Sequence, residues 1–520
     1  MTSKARPSDG GASATSSDYD ALPYLSLPIS YTQPNALAAL AALCGHLAPA
    51  PGTARVLELG CASGGNLMPL AARFPAARFV GVDLSARQVS DGNRRIATFR
   101  LRNIELICGD IAAVDFAVEG FDYVICHGVF SWVPPEVQDA VLRVASRCLA
   151  ANGVAAISYN VLPGWHLREP IRGMLMAHCG SEGSPQARVE RARELLKLFE
   201  THTGPEPYGA LLREEAKLLA LKPGSYILGE FLAAHNAPAS FVDFTGRAAT
   251  HGLDFLCEAD LDAGARASVS GEAHKTVAAM AASDRSKAAQ YLDFFSGRPF
   301  RRSLLVKRSA GGTISQPQAE RLAGLHIACK LTPDPARTTS ALAAFIDGKG
   351  RSITTPVDSV GKTFARLGEA YPATVAVDAL AGPDAKGRLV AKALLQLLQE
   401  GRTAISSLPV AVGRAADPRP KAWAFARAEA ALGLPMVTSQ RHVTVILPKI
   451  AAAVISRLDG TNDHAMLEDW LAREIGAGRV PLPDGKAPPA DNAALTALAR
   501  EQVAETLRHL EASAVLVPVG

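Results

Sequence analysis

Three acidic side chains close, or stand just beyond, three short apolar runs. They are Glu58 in VLELGCASGGN (Val56 to Asn66), Asp83 after Arg78 to Val82, and Asp110 in Cys-Gly-Asp-Ile after Ile104 to Cys108. The first run enters a glycine-rich turn, with Gly60, Ser63 and Gly64, that opens a helix at about Asn66. Such a turn aims backbone N–H groups at a ligand. A carboxylate in the place of Asp83 can accept from both hydroxyls of a ribose, with Leu84 flanking an adenine. Asp110 can accept from the adenine amino group while Ile111 packs on the ring. The set predicts a nucleoside site at the ends of three strands in register, although turn chemistry alone also favours aspartate after strands.

The glycine spacing selects among nucleosides. The dinucleotide fingerprint G-x-G-x-x-G needs a glycine where Ala62 stands, and the pattern here is E-x-G-x-x-x-G. Glu58 would repel a diphosphate, whereas the amino-acid half of S-adenosylmethionine carries an ammonium that an acidic neighbourhood tolerates. The residues prefer this methyl donor, with S-adenosylhomocysteine as product and no metal. An NAD-dependent enzyme on the same fold is the rival that Ala62 weakens.

Further along, FDYVICHGVFSWVP (Phe121 to Pro134) reads as a strand ending in His127, Gly128 and then Trp132. This strand end borders the cleft where a substrate meets the methyl group. His127 shows no carboxylate partner and reads as a packing or cofactor contact, with a role as base left open.

These residues need a scaffold, and the pattern from Arg55 to Tyr159 supplies one. Apolar runs alternate with amphipathic segments, as in βαβ units with a parallel sheet. The strands expected are Arg55 to Leu59, Arg78 to Val82, Ile104 to Cys108, Phe121 to His127 and Val154 to Tyr159. Ser85 with Gln88 forms a capping box that fixes the turn at Asp83 and Leu84. A helix begins at Pro134-Pro135, and Asn152-Gly153 is expected to stop it. Long helical patterns follow from Pro185, a Gly/Ser/Gln/Pro cluster from Ser309 to Pro317 reads as a linker, and Arg441 to Leu447 alternates like a strand before a helix.

The fold class expected is therefore α/β: a Rossmann-like sheet, then a mostly helical middle domain, then a winged-helix-like C-terminal domain. The chain divides into a disordered tail 1–20, a donor-binding domain 21–184, a middle domain 185–310 and a C-terminal domain 311–520. With 520 residues, about three folded units are expected. Lys and Arg number 54 against 50 Asp and Glu, so no strong basic field points to nucleic acid. The eight cysteines contain no CxxC pair and read as buried thiols. The first twenty residues lack the apolar segment of a secretory signal. No run reaches the roughly 18 apolar residues of a membrane span. A soluble cytoplasmic protein with no membrane insertion is expected, and a homodimer stays open.

With these residues in hand, the chain resembles class I methyltransferases that carry the methyltransferase regulatory domain, a group that includes rickettsial protein-lysine methyltransferases. The lead-in YDALPYLSLP (Tyr19 to Pro28) with Thr32-Gln33-Pro34 is similar to that group's. So are SYNVLPGW (Ser158 to Trp165), YILGEFLAAHNAPASFVDF (Tyr226 to Phe244), GLDFLCEAD, QYLDFFSGRPFRRSLLVKR (Gln290 to Arg308) and LDGTNDHAMLEDWL (Leu458 to Leu471). One departure stands out: the group often has histidine where Gly229 precedes Glu230, so no role of that histidine carries over.

The resemblance implies N-methylation of lysine in a protein substrate. Tyr24 or Asn160 would then orient the amine as catalytic residues, and Trp132, Tyr159 and Trp165 would line the acceptor site; Trp132 and Trp165 are readable as core aromatics instead, and Tyr24 as packing the N-terminal segment on the sheet. A small-molecule acceptor is the first alternative. A nucleic-acid-binding or scaffold protein acting through the winged-helix-like module is the second, disfavoured by the near-neutral charge.

Overall fold

The aliphatic runs form β1 (Arg55–Leu59), β2 (Arg78–Asp83), β3 (Ile104–Cys108), β4 (Phe121–Cys126) and β5 (Leu149–Asn160). In this computed structural model, residues 25–114, 116, 120–261, 269–281, 284–308, 315–482 and 487–519 are described. The tail 1–20, Tyr24 and part of the Ser309 to Pro317 stretch lie outside them.

The five strands pair in parallel, and β1 lies between β2 and β4. The chain thus reverses its direction of travel across the sheet at β1 and β4, where a crevice opens beyond the strand ends. Ser85 Oγ accepts from Gln88 N at 3.1 Å, so the predicted cap of helix Ala86–Thr98 forms.

One boundary differs. Helix Pro135–Cys148 ends before Asn152-Gly153, and β5 already begins at Leu149. Leu149 pairs with Phe121, and the register with β4 shifts just beyond it. An irregularity of this kind accommodates turn-forming residues inside a strand.

Two further strands, β6 (Leu253–Glu258) and β7 (Phe300–Lys307), complete a seven-stranded sheet in the order β3-β2-β1-β4-β5-β7-β6. β7 runs antiparallel to both neighbours. Part of the stretch expected to be helical thus belongs to the sheet. The helical unit is an insertion between β5 and β6: helices Glu169–Cys179, Pro185–His202 and Pro207–Ala220 share a core of Ile171, Leu175, Leu196, Leu212 and Phe231.

Alternation along the strands divides the core. Val56, Phe79, Tyr123 and Leu304 face helix Pro34–Leu43 and apolar residues from Leu322 to Ile405. Leu57, Val80, Val124 and Ile157 face helices Pro135–Cys148 and Phe241–Thr250. Another cluster, from Ala422 to Leu516, holds the C-terminal helices His464–Gly476 and Asn492–Ala512. There the predicted strand shortens to Thr444–Ile446, paired antiparallel with Met436–Thr438, and helix Lys449–Val454 follows it. None of the eight cysteines forms a disulfide, and only Cys108 among them is exposed. Among the described residues no helix is long and apolar enough to cross a membrane.

Candidate active site

The glycine turn sits at the crevice where β1 and β4 part. Gly60 and Gly64 take φ of 78° and 74°, and Ala62 is also left-handed at 49°. A Cβ on Gly60 would lie 2.2 Å from Val129 Cγ2, so only glycine lets the turn pass the β4 end. Ala62 N donates to Asp83 Oδ2 at 2.7 Å, and Ser85 N donates to Asp83 Oδ1 at 2.9 Å. The Asp83 carboxylate is thereby held half-exposed at the end of β2. Leu84 beside it is 58% exposed, an apolar surface at the sheet rim. Ser63 is half-buried on the turn.

Glu58 is buried at the end of β1. Its Oε1 accepts from Asn66 Nδ2 at 2.9 Å, while its Oε2 is buried without a partner. Burial, reinforced by the Asp83 charge against the Asn66 hydrogen bond, pushes its carboxyl up to about 8. A cationic group is what this orphaned oxygen lacks.

At the third strand, Asp110 is half-buried and its Oδ1 accepts from Ala112 N at 2.8 Å. Ile111 packs into the core cluster with Val80 and Val82.

The N-terminal segment crosses the turn. Gly65 N donates to Ser26 Oγ at 2.8 Å, and Ile29 N donates to Asn66 Oδ1 at 2.9 Å. A Cβ on Gly65 would fall 2.0 Å from the Ser26 carbonyl oxygen, so this crossing also requires glycine. The Tyr31 hydroxyl reaches His127 Nδ1 at 2.8 Å. The imidazole packs edge-on against Tyr31 and Phe300, and Arg302 lies over both of those rings. Burial, with help from Arg302, lowers His127 to about 4 and leaves it neutral.

The residues expected on the acceptor side gather around the end of β5. Asn160 N donates to Ser131 Oγ at 2.8 Å and Asn160 O accepts from Ala239 N at 3.1 Å, fixing its backbone. Its side-chain Nδ2 is buried with no partner. Trp132 and Trp165 meet edge to face at 5.6 Å between ring centres, and the Trp165 indole N–H is likewise unpartnered. Tyr159 lies deeper: its ring stacks on Phe244 at 3.9 Å and its hydroxyl pairs with Ser303 Oγ at 3.2 Å. Its alternation along β5 turns it into the core, so it backs the site from behind. Among the described residues no cluster of His, Cys, Asp or Glu is arranged to hold a metal ion.

Three family models match this chain: "Methyltransferase domain" over residues 56–153, "Predicted methyltransferase regulatory domain" over 223–307, and "PKMT, C-terminal winged helix domain" over 418–515. Two uncharacterized proteins of Rickettsia prowazekii are each 38% identical. RP028 is matched over 232 residues, 44% of this chain and 93% of its own length. RP789 is matched over 297 residues, 57% of this chain; the chain spans about half of it, 53%. The structure of PKMT2 from Rickettsia typhi superposes with a TM-score of 0.84 at 26% identity, covering 95% of this chain and 100% of that one. The chain belongs to the class I methyltransferases that carry the methyltransferase regulatory domain. The regulatory-domain match includes β6 and β7, so in this methyltransferase that segment also completes the catalytic sheet.

Sequence reasoning missed four residues that the methyltransferase fold brings to the site: Tyr31, Phe300, Arg302 and His442. Tyr31 directly precedes Thr32-Gln33-Pro34, which read only as a lead-in. Phe300 and Arg302 pair with Asn160 and Ser158 across β7, and the strand-like run FRRSLLVK was the signal available for them. His442 belongs to the C-terminal region, and nothing local announces it.

Proposed function

We propose that this methyltransferase takes S-adenosylmethionine as donor and methylates lysine ε-amines of a protein substrate in the cytoplasm, releasing S-adenosylhomocysteine. The observation that carries the donor reading is the unpartnered Oε2 of buried Glu58 beside the Gly60 turn, with Asp83 at the next strand end. The ammonium and the ribose diol of the donor suit these two acids. PKMT2 from Rickettsia typhi has a structure in complex with AdoHcy, matched at a TM-score of 0.83, which supports the same donor here.

When bound, S-adenosylmethionine supplies an electrophilic methyl group on a sulfonium. The chain's own task is to hold a nucleophile in line with it and keep water away. Presenting a lysine amine neutral at pH 7 costs roughly 4 to 5 kcal/mol, from its reference pKa of about 10.4. Desolvation beside the buried rings of Trp132 and Trp165 favours the neutral amine. The rings also attract the cationic product by about 0.5 to 2 kcal/mol each. The Asn160 amide orients the amine through its hydrogen.

Incubation with tritiated S-adenosylmethionine and bacterial lysate, split into protein and small-molecule pools, tests the reading. Label in the protein pool that hydrolyses to methyl-lysine is expected. Label confined to the small-molecule pool would overturn the lysine reading.

A further inference from the structure

The loop Ser439–Val443, between the two strands of the C-terminal hairpin, reaches the donor turn of the N-terminal domain. His442 at its tip is buried, and its Nε2 lies 2.8 Å from Asn66 Oδ1. Asn66 Oδ1 also takes hydrogen bonds from Ile29 N at 2.9 Å and Thr32 Oγ1 at 3.2 Å, while Asn66 Nδ2 donates to Glu58 Oε1. The C-terminal domain therefore stands two hydrogen bonds from the carboxyl assigned to the donor's ammonium.

We propose that His442 is a positioning residue of the donor site, acting through Asn66 on Glu58, so that the C-terminal domain sets donor affinity. This inference rests on the donor reading above and adds a dependence of that site on a residue outside the catalytic domain.

Three features carry it. Asn66 Oδ1 is held from two segments, by Ile29 N of the N-terminal segment and by His442 of the C-terminal loop, which orients the amide so that its Nδ2 donates to Glu58 Oε1 at 2.9 Å and Thr32 Oγ1 at 3.1 Å. The loop itself is held in place: Arg73 donates to Gln440 O at 2.8 Å and to Gln33 Oε1 at 2.9 Å, and Gln33 Nε2 donates to Arg441 O at 3.2 Å. Finally, His442 adopts φ of 56°, a conformation costing about 1 kcal/mol or more for a residue with a Cβ, which persists only when the surroundings impose it. Burial and the neighbouring Arg73 keep the imidazole neutral, lowered to about 3, and the Asn66 oxygen it faces, fixed as acceptor by Ile29 N, selects the tautomer with the proton on Nε2. Without this donor the Asn66 amide is held from the N-terminal segment alone, and its hold on Glu58 loosens.

The test uses the full chain with His442→Ala and His442→Gln, whose terminal amide can also donate. Calorimetry with S-adenosylhomocysteine, the melting temperature without ligand, and the KM and kcat for S-adenosylmethionine are measured for each. Expected for His442→Ala are a Kd and donor KM raised roughly tenfold with kcat within about twofold, and for His442→Gln recovery to within about threefold of wild type, the scale of one hydrogen bond. If His442→Ala does not fold, His442→Phe, which keeps bulk without the donor, takes its place. Unchanged Kd in the donor-less variant, equal impairment of the glutamine variant, or a fall in kcat at constant KM would overturn the proposal. Absence of binding to the wild-type chain would instead overturn the donor reading on which it stands.

Discussion

The Tyr31 hydroxyl and His127 Nδ1, 2.8 Å apart, join the N-terminal segment to the end of β4. The contact closes one wall of the crevice and engages one of the two ring nitrogens. With the imidazole lowered to about 4, His127 is a weak proton acceptor at neutral pH. His127→Gln is predicted to leave the shape of the kcat against pH profile unchanged. Tyr31→Phe should raise the donor KM by about three- to tenfold, the scale of one lost hydrogen bond. Disappearance of a limb of the pH profile in the histidine variant would make His127 a base after all.

Glu58 gives the donor site a pH dependence with a definite sign. Its carboxyl is raised from 4.5 to about 8, so the folded protein without donor holds it protonated at neutral pH. That stabilising contribution is complete below about 4.5 and is lost as the pH climbs through about 8. Binding of an ammonium calls for the anion and releases the proton. Affinity for S-adenosylhomocysteine should therefore rise on the order of tenfold from pH 6 to pH 7.5, below the range where the ligand's own amine titrates. Calorimetry in buffers of different ionisation enthalpy should show proton release, and Glu58→Gln should bind more weakly with a flat profile.

Asn160 separates binding from turnover. Its backbone is fixed on Ser131 and Ala239, and its buried amide nitrogen has no hydrogen-bond partner. Asn160→Ala should lower kcat by about a hundredfold through lost orientation of the amine while leaving the Kd of S-adenosylhomocysteine within about threefold. Single-turnover kinetics beside calorimetry measures both.

Stability of the sheet edge depends on a buried ion pair. Arg301 donates to both Asp293 oxygens at 2.8 Å and to Glu258 Oε1 at 2.9 Å, and its guanidinium lies over the Phe241 ring at 4.0 Å. Arg301→Met leaves buried Asp293 without its hydrogen-bonded cation and Glu258 with Arg298 at 3.7 Å, at a cost of about 3 to 5 kcal/mol. A large drop in denaturant midpoint is expected, whereas Arg308→Met at an exposed pair should change it little.

The strand ends and the glycine turn assigned to the donor were legible because their residues are close in sequence. Glu58, the Gly60 turn and Asp83 fall at strand ends whose apolar patterns are short and clear, and a capping box at Ser85 fixes the turn between them. The strands β6 and β7 were not read, since β7 pairs with a β5 far upstream and a ladder of that kind leaves no local mark. Asn152-Gly153 misled for the opposite reason: a strong local turn signal was overridden by tertiary pairing of Leu149 with Phe121. Tyr31, Arg302 and His442 reach the site through contacts between distant segments, which periodicity cannot report. Tyr24 lies outside the described residues, so the phenol found at the β4 end is Tyr31.

The account stands or falls on whether the acids at the ends of β1 and β2 hold the methyl donor. Calorimetric titration of S-adenosylhomocysteine into the wild-type chain and Asp83→Ala at pH 7.5 measures this directly. One site per chain is predicted for the wild type, with affinity weakened roughly ten- to hundredfold in the variant by loss of charge-assisted hydrogen bonds to the ribose. No binding heat with the folded wild-type chain, or equal affinity in the two proteins, would contradict it.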